Sequence, residues 1–186
     1  MTARERLRDL LAERSFRTGS FTLASGATSD YYIDCRATTM HAEGLALVGE
    51  AGFEALVELG WAPDLVGGLT MGADPIAYSM AMESWRRGKP IHAFSIRKRP
   101  KRHGTRQRIE GCFEPGARVV VVEDVITSGG SALEVCEVVA QAGGAVVGVL
   151  ALVDRCEGGF RAIHDSGFDV KALYTPDDLR AALASS

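Results

Sequence analysis

The sequence predicts an α/β domain, a mostly parallel sheet covered on both faces by helices. Three observations carry that expectation. Near-continuous apolar segments such as VVVV at 119–122 and AVVGVLALVD at 145–154 read as strands buried on both faces. They alternate along the chain with helix-periodic stretches, the pattern of a parallel sheet. At 186 residues the chain is long enough for one sizeable core and short for two, so a single domain over 1–186 is expected.

The elements follow in order. Leu7, Leu10 and Leu11 fall at helical spacing. FTLASGATSDYYIDCR, 21–36, reads as a hairpin, and Ala42 to Leu59 as a helix with Leu45, Val48, Leu56 and Leu59 on its buried side. DLVGG is a short strand ending in glycine; Ala73 to Arg87 is helix, HAFSIR strand, VVVVED strand, and Ser131 to Ala142 helix. AVVGVLALVD and FDVKALYT supply further strands, and PDDLRAALAS a last helix begun by Pro176.

Composition excludes several classes. A formal net charge of −3 argues against a chain devoted as a whole to nucleic acid. No run approaches the length needed to cross a bilayer, and the N-terminal MTARERLRDLLAERSF has no apolar signal core, so no membrane and a cytoplasmic location are expected. Cys35, Cys112, Cys136 and Cys156 lie far apart, without zinc-ligand spacing, and read as reduced thiols. Nothing in the sequence converges on His41 or His164, which read as structural.

One stretch carries chemistry. In VVVVEDVITSGGS, Glu123 and Asp124 emerge at the C-terminal edge of a central strand, where open parallel sheets bind ligands. The run Val125, Ile126, Thr127, Ser128, Gly129, Gly130, Ser131 then turns into a helix whose first amides and hydroxyls can converge on an anion, the glycines permitting close approach. The bland alternative is a turn in which Asp124 or Ser131 merely caps the helix. Carboxylates beside a phosphate repel it unless they bind sugar hydroxyls or a divalent cation, and a phosphorylated sugar satisfies both halves. The glycine spacing fits neither a nucleotide triphosphate loop nor a dinucleotide fingerprint.

A second constellation concentrates cations in an otherwise acidic chain: Arg97, Lys98, Arg99, Lys101, Arg102, Arg106 and Arg108 crowd together with His103. Pro100 and Gly104 deny the segment a stable helix, and its self-repulsion makes it a loop awaiting an anion. A solvated basic loop touching RNA is the alternative.

VVVVEDVITSGGS resembles the phosphoribosyl pyrophosphate signature of the type I phosphoribosyltransferases. Taken with Arg97-Lys98-x-x-Lys101-x-His103-Gly104, the SG…YYID hairpin, HAEG, GGLTMGADPIA and ALVDRCEGG, the chain resembles the orotate phosphoribosyltransferase family over most of its length. The resemblance implies a type I fold with a small hood contributed mainly by about 1–40 and by the chain end. It implies transfer of ribose 5-phosphate from phosphoribosyl pyrophosphate to orotate, with Mg²⁺ held mainly by substrate and water near Glu123 and Asp124. Lys101, His103 and Asp124 are the implied catalytic residues; Arg97, Lys98, Lys101 and His103 cover the pyrophosphate; Val125 to Ser131 wrap the 5'-phosphate; and Thr127 lies within reach of the base. Arg155 in VDRCEGG emerges from a strand end and could pair its planar fork with the carboxylate of orotate, the alternative being a surface arginine. Tyr31 and Tyr32 could flank the base, although one of two adjacent strand residues normally faces the core. The implied assembly is a homodimer sharing loop 97–108 across its interface. Lysines that some members carry are replaced here at Ala24 and around Gly72, with Ala27 and Thr28 where others have basic residues. Two rivals stand beside this reading: a phosphoribosyltransferase for a purine or another base, and a non-catalytic regulator that binds phosphoribosyl pyrophosphate.

Overall fold

The computed structural model describes residues 1–22, 26, 28–98 and 108–185. Its centre is a six-stranded sheet of β3 (Leu65–Leu69), β4 (His92–Ile96), β5 (Ile109–Gly111), β6 (Arg118–Ile126), β7 (Ala145–Asp154) and β8 (Val170–Tyr174), in the spatial order β5-β4-β3-β6-β7-β8. β5 runs antiparallel to β4, and every other pairing in this sheet is parallel. Separately, β1 (Phe16–Thr22) and β2 (Thr28–Ile33) form an antiparallel pair.

The period of two along the central strands assigns the two cores. Val120 and Val122 of β6 and Leu150 and Leu152 of β7 pack with Leu7, Leu11, Val48, Leu56, Ile76, Met80 and Leu179. Those partners come from α1 (Ala3–Ser15), α3 (Ala42–Glu58), α4 (Ala73–Arg86) and α7 (Pro176–Ala184). The intervening Val119, Val121, Val149 and Ala151 pack with Val135, Cys136, Val139 and Ile163. These belong to α5 (Gly130–Gln141) and α6 (Gly159–Asp165). Strands apolar at every position are therefore apolar because each face has its own helical layer. The expected α/β class holds.

Both chain ends are tied down. Thr2 and Glu5 form a capping box on α1, and Thr175 and Asp178 another on α7 behind Pro176. The Tyr174 hydroxyl donates to the Arg4 carbonyl at 2.6 Å, locking β8 to α1.

Several elements differ from expectation. The hairpin begins at Phe16, whose Cα pairs with Ile33, because Phe16 stacks on Tyr31 and so extends the ladder below Phe21. Cys35 and Arg36 leave the strand, and α2 (Arg36–Thr39) follows. On α3, Leu59 is exposed at the C-cap and Leu45 only half-buried; Phe53 and Ala55 fill the buried side instead. β6 runs two residues beyond the acids, to Ile126, which pairs with Asp154. β5 and α6 are too short to leave a periodic signature.

The α5-side core sets a testable cost. Phe94 is fully buried and meets Phe113 at 6.1 Å between ring centroids. Phe94→Ala is expected to lose about 3–5 kcal/mol of stability in denaturant unfolding, and a loss below about 1 kcal/mol would contradict the packing described.

Candidate functional site

At the C-terminal end of the parallel strands lies a cleft of about 610 Å³. Its acidic floor comes from β6. The alternation that sends Val120 and Val122 to one face and Val119 and Val121 to the other continues through Asp124 and Glu123, so adjacent acids serve opposite sides of the sheet edge. Glu123 lines both the cleft and a small recess of about 30 Å³ formed with residues 125–132. Asp124 turns toward the loop after β3. A Cβ placed on Gly72 would stand 2.7 Å from Asp124 Oδ1, so a side chain at 72 would require this carboxylate to shift.

Electrostatically the pair is expensive. Burial, then the charge of Asp124 and a hydrogen bond to it, push the Glu123 carboxyl up to about 8, while Lys98 pulls it down. Glu123 Oε2 is buried without a hydrogen-bond partner. Asp124 is also raised by burial, moderated by the Val125 amide, which donates to Oδ1 at 2.9 Å, and by the Arg36 guanidinium. A buried and a half-buried carboxyl thus stand where few native groups neutralise them.

The cradle beside them is open. α5 begins at Gly130 behind Gly129, which sits in the left-handed region at φ 80°, and no side chain caps the helix. The capping alternative for Asp124 and Ser131 therefore fails; the Gly130 amide donates to Ser128 Oγ at 3.5 Å, at the limit of a hydrogen bond, and the Ser131 and Ala132 amides of the first turn, which have no intrahelical acceptor, are left for a ligand. The Gly159 amide donates to the Thr127 carbonyl at 2.9 Å and pins the turn against α6. Thr127 and Ser131 line the cleft, and Val125 to Ser131 line the recess.

Arg155, at the end of β7, is the most unusual cation. It is 9% exposed, and its Nε and Nη2 have no hydrogen-bond partner. Glu157 Oε1 lies 2.8 Å from Nη2, yet out of line for a hydrogen bond. The Arg155 amide donates to the Ile126 carbonyl at 3.0 Å, which places the residue beside the start of the cradle. Of the tyrosine pair, Tyr31 faces the core, while Tyr32 is 42% exposed and lines the cleft.

Of the basic segment, Arg97, Lys98 and Arg108 are among the described residues. Lys98 lines the cleft. Arg97 is ion-paired with Glu110 at 2.9 Å, and its amide donates to the Arg108 carbonyl at 2.9 Å, closing the base of the segment. Arg108 in turn pairs with Glu134. Lys101 and His103 lie outside the described residues, as do Ala24 and Ala27. Sequence reasoning missed Arg36, held by Asp34 through Nε at 2.8 Å and Nη2 at 2.9 Å, and Thr70, whose hydroxyl donates to Asp74 Oδ2 at 2.5 Å; both line the cleft. The quoted blocks YYIDCR and GGLTMGADPIA contained both residues, and only the tertiary fold brings them beside β6.

An amide cradle next to an acid pair at the edge of a parallel sheet defines a sugar-phosphate transferase site, and the family model of the phosphoribosyl transferase domain matches residues 39–168. The orotate phosphoribosyltransferase of Rhodopseudomonas palustris (strain BisB18) is 47% identical over 176 residues, 92% of this chain and 93% of that protein. The orotate phosphoribosyltransferase of Mycobacterium tuberculosis H37Rv, solved with Fe(III) dicitrate, superposes with a TM-score of 0.84 at 42% identity, covering 95% of this chain and 98% of that one. The same enzyme solved with 5-phospho-alpha-D-ribosyl 1-diphosphate gives 0.80 at 38% identity, covering 96% and 99%. The chain belongs to the orotate phosphoribosyltransferase family.

The strained acid predicts a pH signature. Because the folded pKa of Glu123 lies above its ordinary 4.5, the burial cost is absent while the group is protonated, grows as pH rises past 4.5 and is complete above about 8. Glu123→Gln should therefore melt with wild type near pH 5 and several degrees above it at pH 8.5. Equal melting temperatures at both pH values would contradict the burial account.

Proposed function

We infer that the protein transfers ribose 5-phosphate from 5-phospho-α-D-ribose 1-diphosphate to a ring nitrogen of orotate, giving orotidine 5'-monophosphate and pyrophosphate, a step of pyrimidine biosynthesis and the reaction for which its family is named. The observation that carries this reading is Arg155. A buried guanidinium with unpartnered donors, beside a phosphate cradle, is a seat for a planar carboxylate. A purine offers no such group, which sets this base apart from the rival bases.

The residues divide the work. The amides and hydroxyls of 125–131 hold the 5'-phosphate, and Glu123 and Asp124 orient the ribose hydroxyls. Lys98 with Lys101 and His103 covers the pyrophosphate, joined by Arg97 once it exchanges Glu110 for substrate. Thr127 stands between phosphate and base, Arg155 fixes the orotate carboxylate, and Tyr32 flanks the ring. As the bond from carbon 1 to the pyrophosphate oxygen breaks, its electron pair leaves with pyrophosphate and the ring nitrogen attacks the cation-like carbon. The chain's contribution is positioning, charge neutralisation and exclusion of water. The hairpin and chain end serve as a hood in this scheme.

Magnesium belongs to the same reading. The unpartnered Glu123 Oε2 and the cleft-facing Asp124 suit a hard cation, and no cluster of three ligating side chains occurs among the described residues. That donor set fits an ion held mainly by substrate oxygens and water, with Glu123 and Asp124 reaching it through water. Bound there, Mg²⁺ supplies Lewis-acid neutralisation of the pyrophosphate.

We also propose a homodimer in which segment 97–108 of one subunit serves the site of the other. On α4, Tyr78, Met82 and Trp85 are 54%, 51% and 75% exposed at the spacing of one helical face, an apolar stripe suited to a second copy. The free, exposed Cys112 and Cys156 suit a reducing compartment such as the cytoplasm.

The direct assay offers the protein phosphoribosyl pyrophosphate, Mg²⁺ and, in turn, orotate, adenine, hypoxanthine or uracil. Only orotate should be consumed at an appreciable rate; no turnover with any base would favour a regulator. Asp124→Asn should weaken transfer by up to a few kcal/mol in kcat/KM with the fold intact, and wild-type turnover would remove the acid from the site. Mixing inactive Lys101→Ala and Asp124→Asn proteins should restore about a quarter of wild-type activity, since free exchange makes half the dimers mixed and each mixed dimer has one intact site. If activity stays absent despite proven exchange, Lys101 acts in its own chain.

A further inference from the structure

We propose that Tyr31 is a positioning residue for orotate, holding the Arg155 guanidinium ready without occupying its hydrogen-bond donors. The proposal rests on the reading of Arg155 given above. A cation with two unpartnered nitrogens in a buried setting needs some other attraction to keep it in place. Glu157 is a weak candidate, because it is 41% exposed and misaligned, so water screens it. The Tyr31 ring is a better one. Arg155 Cζ lies over it at 4.9 Å from the centroid, within cation–π range.

The chemistry of that contact matters more than its strength. A carboxylate partner would consume the planar N–H fork that a substrate carboxylate needs. An aromatic face attracts the guanidinium through its quadrupole and accepts no conventional hydrogen bond, so the fork stays free. The main-chain link is secondary: the Tyr31 hydroxyl donates to the Arg155 carbonyl at 3.4 Å, close to the limit of a hydrogen bond.

The ring is itself fixed. Tyr31 is 9% exposed and stacks on Phe16 with centroids 5.4 Å apart and planes 23° apart. Arg180 of α7 approaches it as well, with Cζ at 5.1 Å from the centroid. That guanidinium is tethered by Asp30 at 2.7 Å and Asp177 at 3.3 Å. The small hairpin and the C-terminal helix thereby act on the site at second hand, by fixing the ring on which the arginine rests. Arg180 pairs with two carboxylates and Arg155 with none in line, so the two cations at one ring differ in what they can still bind.

The test is steady-state kinetics on the purified enzyme with Tyr31→Phe, Tyr31→Leu, Arg155→Ala and the Tyr31→Leu/Arg155→Ala double variant. Tyr31→Phe keeps the ring and should leave the KM for orotate within about twofold of wild type, consistent with a weak hydroxyl contact. Tyr31→Leu should raise it by about 3- to 10-fold while the KM for phosphoribosyl pyrophosphate stays put. The double variant should be no worse for orotate than Arg155→Ala alone, because the tyrosine acts through the arginine.

Fluorinated phenylalanines at position 31 supply a second measurement that preserves shape. The KM for orotate should climb as fluorines drain the ring face, from phenylalanine through trifluoro- to pentafluorophenylalanine. A flat series overturns the proposal, as does a Tyr31→Leu variant that raises both KM values together or adds fully to Arg155→Ala. If Arg155→Ala itself leaves the orotate KM unchanged, the reading of Arg155 has failed. If Arg155→Ala raises it and the fluorinated series is flat, only the role of Tyr31 has failed.

Discussion

Two adjacent carboxyls at the end of a buried central strand are the constraint on which the rest of the structure depends. Val119 to Val122 are wholly buried, and the strand keeps its alternation into Glu123 and Asp124, so the acids inherit the geometry of the core without its chemistry. Burial raises both groups above their ordinary range, and the charge of Asp124 raises Glu123 further. Such a pair is tolerated where a ligand with hydroxyls and associated cations relieves it, and the neighbouring structure is arranged toward that end. Lys98 approaches from the end of β4 and Arg36 from the start of α2; each draws one acid back toward ionisation.

The flanking segments are held by polar contacts placed around the acids. The Asp74 carboxylate accepts from Thr70 and, at 2.7 Å, from Ser95, which ties the loop after β3 to the end of β4. That loop carries Gly72, against which Asp124 rests. On the other side of β6, the Arg155 amide and the Gly159 amide bond to the Ile126 and Thr127 carbonyls, fixing Arg155 relative to the cradle. Strand ends thus position several of the groups that line the cleft. In the transfer reaction this favours a cation-like carbon that must meet its nucleophile before it meets water.

How far the site could be read from sequence depended on how contiguous each part is. The acids and cradle lie in one unbroken run whose strand-to-turn-to-helix pattern has a direct physical reading, and the structure places them together in one cleft. Arg155 was legible as a cation at a strand end, although its burial and its unpartnered donors are properties of the packed molecule. Arg36, Thr70 and the cleft-facing side of Tyr32 come from three other segments, and no periodicity says which strand end they will meet. For Tyr31 and Tyr32, alternation dictated that one would turn inward, and the Phe16 ring decides which. The short β5, α2 and α6 escaped notice because elements of three to seven residues carry less periodic signal than chance composition. Leu59 was misplaced for a related reason: its register fits the buried stripe, but the helix ends there and the chain turns away.

On the proposed reading, the raised acid pair is held for the sugar phosphate and its metal, and is ionised when they arrive. Calorimetric titration of the protein with phosphoribosyl pyrophosphate and Mg²⁺ near pH 7.5, repeated in buffers of different ionisation enthalpy, measures this directly. Binding should release protons from wild type, because Glu123, with a pKa of about 8 in the empty site, loses its proton to a cation-rich complex. The excess release should vanish in Glu123→Gln. Identical proton release in wild type and variant would contradict the claim and leave the pair a buried structural feature.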